Sequence, residues 1–141
     1  MNRRAWNWKE AQLPRKTQEE LFSRFELGLY EAALETDARN LDVLVALGEI
    51  YDRRGLIEKG LEVDMLLVQI RPEEPSYQYR LACRHSVLGH IDPALQALSR
   101  AIQLGYNKFD HLHENPDLDN VKKDRRYQEI LRSAGKKKLK G

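Results

Sequence analysis

The chain reads as all-α, built from helical hairpins repeated in series. Three observations predict this. Apolar residues recur at steps of three and four, and no alternating strand pattern survives beside them. The five prolines and eight glycines fall mostly where those periodic stretches end. Residues 41–74 also align with residues 75–108 at a constant offset of 34, the mark of a repeat architecture.

At 141 residues the chain has room for one helical domain with short extensions. Hydrophobic residues make up 41% and charged residues 33%, which suits a thin helical body with much charged surface. No apolar run approaches the roughly 18 residues of a membrane span, so no membrane partner is expected. The first residues, with Arg3, Arg4, Trp6, Trp8 and Lys9, contain no apolar stretch, so a secretory signal is not expected. Cys83 is the only cysteine, which excludes an intrachain disulfide and fits a reducing, cytoplasmic setting. The net charge of +2 conceals a segregation: residues 1–16 carry +4, residues 121–141 carry +7, and the stretch between them carries −9.

Taken in order, residues 1–16 form a basic, aromatic segment in which Pro14 argues against a long helix. Thr17 and Glu20 have the spacing of a capping box, opening a helix to about residue 37 with Leu21, Phe22, Phe25 and Leu29 on its apolar face. A helix at about 42–54 places Leu44, Leu47, Gly48 and Tyr51 in one stripe and ends at Gly55. Its partner spans about 57–71, until Pro72. A second pair follows at about 75–88 and 92–104, divided by Gly89. Asp92 and Pro93 read as an N-cap and a first-turn proline, and Gly105 closes the pair. Asn115 and Pro116 open a short turn. Asp124 caps a last helix at about 125–134, with Tyr127, Ile130 and Leu131 on one side, and Gly135 ends it. The lysine-rich residues 135–141 are expected to be a flexible tail. The count is six to seven helices.

The internal alignment has a physical basis in small residues. Gly48 falls on Ala82, Gly60 on Ala94, Gly55 on Gly89 and Leu47 on Leu81. Paired helices come within about 8–10 Å only where side chains are small. A 34-residue helix–turn–helix unit with Leu44, Leu47, Gly48, Tyr51, Gly55, Gly60 and Pro72 resembles the tetratricopeptide repeat. The second unit, with Leu81, Ala82, Gly89, Ala94, Leu98 and Ala101, is similar but lacks the aromatics. The resemblance divides residues 17–134 into a degenerate repeat (17–40), repeats at 41–74 and 75–108, and a closing segment (109–134). It implies a right-handed superhelix whose inner face binds a peptide or helix of a partner protein. By helical phase, that face would present Asp42, Val45, Glu49, Asp52 and Arg53 from the first full repeat. The second would add Ser76, Tyr79, Cys83, Ser86 and Val87.

The first set is acidic and the second is small with one aromatic, which suits an apolar contact beside a basic ligand group. A carboxylate clamp for acidic peptides is not expected. Ala46 and Ser76 stand where the family's clamp would carry Asn and Lys, leaving Arg80 as the one clamp-like residue. His111 and His113 are two residues apart but lack further ligands. Cys83 has Arg84 and His85 beside it, a setting that could lower its pKa, but without an oriented triad the expected reading is a small groove or core thiol. No phosphate loop, nucleophile elbow or oriented triad is present, so neither enzyme activity nor a cofactor is expected. The leading expectation is a non-enzymatic adaptor. A tetratricopeptide-type secretion chaperone is the alternative among binding proteins. A nucleic-acid-associated protein using its basic termini is the alternative from another class, made less economical by the acidic body. Self-association through the exposed ends of a short array is a third reading.

Overall fold

The computed structural model describes residues 14–140, and side chains as far as residue 135. Trp6, Trp8 and the neighbouring basic residues lie outside the described residues, as do the side chains of the terminal lysines. The chain divides into two compact units, Met1–Ala38 and Arg39–Gly141, each described by itself.

The first unit contains α1 (Arg15–Thr36). It begins two residues before the expected capping box. Pro14 is its N-cap and accepts from the Gln18 amide at 3.1 Å, so Thr17 and Glu20 lie inside the helix and cap nothing. The missing proline N–H is harmless at a helix start. No α1 residue is buried.

The second unit contains α2 (Leu41–Arg53), α3 (Ile57–Ile70), α4 (Pro75–Val87) and α5 (Ile91–Gln103). The short α6 (Phe109–Glu114), a 3-10 turn at Pro116–Leu118, α7 (Asp119–Lys122) and α8 (Arg125–Lys140) follow. Among the described residues there are thus eight α-helices, more than the six to seven expected, and no strand. The surplus comes from the closing segment, which breaks at Asn115 and Pro116. Asn40 opens α2 by accepting from the Val43 amide at 3.2 Å. Gly55, Gly89 and Gly105 have positive φ at the three helix ends where the sequence placed turns.

Two expected boundaries move. Helix α5 starts at Ile91 with His90 as its N-cap. Asp92 is therefore not a cap; its carboxylate receives Arg126 at 2.7 Å instead. Helix α8 runs through Gly135 to Lys140, so Gly135 does not end it. Lysine is a good helix former, and basic residues near a C-terminus favour the helix dipole. Asp124 does cap α8, accepting from the Arg126 amide at 2.9 Å. The bond from the Arg126 guanidinium, with that from its amide, holds the carboxyl down to about 2.

Helices α2 and α3 form one hairpin and α4 and α5 the next, with α3 packed on α4. Leu44, Leu47, Ile50, Val63 and Leu67 are buried in the first pair. Ala82, Ala94, Leu95, Leu98 and Ala101 fill the second, and its core continues through Leu112, Leu118 and Val121 to Tyr127. Small residues on α4 and α5 let that pair close tightly.

Candidate functional site

Four of the ten predicted inner-face residues meet in one place. Asp52 of α2 and Tyr79, Cys83 and Val87 of α4 line a pocket of about 180 Å³, joined by Asp64, Arg80, Arg84 and Asp117. The side chains come from two hairpins and from the 3-10 turn, so the site exists only when those elements are packed together.

Under the pocket lies a charged network the sequence reading missed. Asp64 of α3 is fully buried. Its Oδ2 accepts from Arg84 Nε at 3.0 Å and its Oδ1 from Arg80 Nε at 3.3 Å. Arg84, itself buried, also donates to the Asp52 carboxylate. Burial pushes the Asp64 carboxyl above its ordinary value, against the opposing pull of the two guanidiniums. The network explains Gly48 and Gly60. A Cβ on Gly48 would strike the Arg80 guanidinium, and a Cβ on Gly60 would strike that of Arg84. Gly48 serves both sides, since a Cβ there would also meet Val63 Cγ1 of its partner helix at 3.6 Å, while Gly60 leaves room for the arginine of the next hairpin. Arg80 is held to Asp64 through its Nε, while its Nη2 is buried without a hydrogen-bond partner beside the pocket. A signal was available in the sequence, since Asp64 interrupts an apolar helix where the next repeat carries Leu98.

Tyr79 lines the pocket but is buried, not a free aromatic platform. Its ring stacks on Tyr106, with centroids 4.2 Å apart. Asn115 Nδ2 donates to its hydroxyl at 2.9 Å and to Cys83 Sγ at 3.4 Å. Ser86 is fully buried and cannot face a ligand. Its backbone carbonyl accepts from Asn120 Nδ2 at 2.8 Å. Asp42, Glu49 and Arg53 are exposed, and Val45 is half-buried, on α2 outside the pocket. Ser76 is occupied at the start of α4, where its hydroxyl donates to Glu74 Oε1 at 2.9 Å. Val87 is exposed at the pocket's edge.

The thiol is quiet. Burial pushes Cys83 up to about 12, and the Arg84 guanidinium next to it in sequence is turned to the carboxylates of Asp64 and Asp52. Native Cys83 should react with Ellman's reagent at pH 8 about a hundredfold or more slowly than the unfolded chain, because the thiolate is the nucleophile. Matched rates with and without guanidinium chloride would show that the pocket does not bury the sulfur.

The histidines are engaged locally. His111 Nδ1 lies 3.3 Å from the hydroxyls of Tyr79 and Tyr106, and His113 Nδ1 lies 3.4 Å from that of Tyr127. His85 and His90 face each other at 3.1 Å across the α4–α5 turn, and burial lowers His85. Among the described residues no three His, Cys, Asp or Glu side chains gather to hold a metal, and no helix is long and apolar enough to cross a membrane.

The fold and pocket define a class: an all-helical chain of consecutive hairpins with a small, partly charged recess between them. No family model matches the chain. It is similar to a chloroplastic protein of Arabidopsis thaliana, at 31% identity over 85 residues. That match takes in 58% of this chain, which spans about a quarter of the length of the relative.

Proposed function

We propose that the chain is a non-enzymatic tetratricopeptide-type adaptor. Its hairpins form a right-handed array, and the inner face holds a segment of a partner protein. The observation that carries this reading is the convergence of Asp52, Tyr79, Cys83 and Val87, four positions assigned by repeat phase, on one pocket. The register of the helices supports it. Leu41 and Pro75, which open α2 and α4, stand 34 residues apart, as do Ile57 and Ile91, which open α3 and α5. The left-handed Gly55 and Gly89 keep the same spacing.

The pocket's chemistry suggests the ligand. Asp117 adds a carboxylate beside exposed Val87, Asp52 is shared with Arg84, and exposed Glu49 lies one turn back along α2. A partner segment with an apolar residue next to a lysine or arginine fits that surface. The test is affinity capture from source lysate with wild type, with Val87→Arg plus Asp117→Lys, and with the control Met65→Lys on exposed α3. All three must share one circular dichroism spectrum. A protein held by wild type and control but lost by the pocket variant is expected. Retention of the same proteins by the pocket variant would leave the inner face without a role.

A further inference from the structure

Three carboxylates line the pocket: Asp52, Asp64 and Asp117. Asp64 accepts from Arg80 and Arg84, and Asp52 accepts from Arg84. Asp117 is exposed, and among the described residues no side chain pairs with its carboxylate. It belongs to neither hairpin but to the 3-10 turn at Pro116–Leu118. Burial pushes the Cys83 thiol up, and the Asp117 charge adds to that push, so its field reaches the pocket's sulfur.

The turn that carries Asp117 is held from two sides. Asn115 Oδ1 accepts from the Asp117 amide at 3.0 Å. Asn115 Nδ2 donates to the Tyr79 hydroxyl and to Cys83 Sγ in the pocket wall. Asn115 is thus the strut between the turn and α4. Its own backbone is fixed from behind by Lys122 of α7. Lys122 Nζ donates to the carbonyls of His113 at 2.6 Å and Asn115 at 2.9 Å, and to Asp119 Oδ1 at 3.5 Å. An ammonium has three N–H donors, and here three acceptors surround it. The two carbonyls lie where α6 ends at Glu114, and a helix end leaves such groups without intrahelical partners.

We propose that Lys122 is a positioning residue for the pocket. It fixes the turn from Asn115 to Leu118, so that Asp117 supplies the carboxylate that selects a lysine or arginine of the partner segment. The choice of ligand rests on the adaptor reading; the geometry of the turn does not. Lys122 acts here against the sign of its own charge. As a bare cation it would weaken the pocket's attraction for cations, but by holding Asp117 in place it strengthens that attraction.

Half-buried Cys83 supplies the probe. Two methanethiosulfonate reagents, one ending in trimethylammonium and one in sulfonate, react with its thiolate. The ratio of their rates reads the local charge, and any change in thiolate fraction cancels in it. Wild type should favour the cationic reagent more than the urea-unfolded chain does. Asp117→Asn should lower the ratio about fivefold. Lys122→Met should lower it by a similar factor, and adding it to Asp117→Asn should lower it no further. Lys122→Arg, which keeps N–H donors, should stay near wild type. The variants must share the wild-type circular dichroism spectrum, and Lys122→Gln replaces Lys122→Met if that variant does not. A ratio in Lys122→Met equal to or above that of wild type makes Lys122 an ordinary surface charge and overturns the proposal. So does a Lys122→Arg ratio as low as that of Lys122→Met, or a wild-type ratio no higher than that of the unfolded chain. These rates need no partner, so failure of the capture experiment strikes the adaptor reading and leaves the role of Lys122 in the turn standing.

Discussion

Asp64→Asn is expected to lower the unfolding free energy by about 3–5 kcal/mol, the usual cost of breaking a buried ion pair from one side. Asp64 is fully buried and accepts from two guanidiniums. Without its charge, Arg84 keeps only the exposed Asp52 carboxylate, and Arg80 keeps none. The arginines extend from α4 and their acceptor sits on α3, so the loss falls on the joint between hairpins. The melting temperature should drop by more than about 10 °C. Replacing the whole cluster, with Asp64→Leu, Arg80→Met and Arg84→Met together, should return stability to within about 2 kcal/mol of wild type, because well-packed apolar residues avoid the desolvation cost of the charges. Urea unfolding of the two variants checks the pair of expectations. A single variant within about 1 kcal/mol of wild type would mean the arginines re-solvate easily and the joint rests on apolar packing alone.

The contrast between single and triple substitution also bears on function. An apolar joint would hold the hairpins, but it would remove both guanidiniums from the pocket and release Asp52. If the charged joint serves recognition, the triple variant should fold well and lose the partner. If it serves only registration of the hairpins, partner capture should survive.

The helical hairpins were legible because their signals are local. Apolar spacing, a glycine at each tight turn and the 34-residue offset all act within one or two helices, and Gly55, Gly89 and Gly105 occupy the left-handed conformations those turns need. The closing segment was legible in part. Tyr127 is buried and Asp124 caps α8 as expected, but Gly135 does not stop the helix. A glycine in a helix interior costs only about 1 kcal/mol relative to alanine, so it does not by itself end the helix. The site was harder to read. Repeat phase put Asp52, Tyr79, Cys83 and Val87 on a common face, and they do share a pocket. Phase alone could not show that Tyr79 would be covered by Tyr106 and Asn115 from the closing segment. Nor could it show that Gly48 and Gly60 make space for arginines of the next hairpin. Both depend on pairings between residues about 20 to 40 positions apart, which local periodicity does not encode.

Tyr127→Asp should be comparably damaging at the other end of the array. Its ring is 1% exposed and belongs to the core with Leu98, Leu112 and Val121. Losing an aromatic of that burial costs about 3–5 kcal/mol, and a carboxylate in the same apolar site adds to the loss. Tyr127→Phe should cost under about 1 kcal/mol, because the hydroxyl's neighbour, His113 Nδ1, is 3.4 Å away. The consequence is local before it is global. Ile130 and Leu131 pack on the same core from α8, so Tyr127→Asp should free that helix from α5 and α7. Hydrogen exchange should then rise along residues 125–135 more than along α2 or α3. Exchange in α8 that is unchanged by Tyr127→Asp would mean that Ile130 and Leu131 hold the helix without the ring.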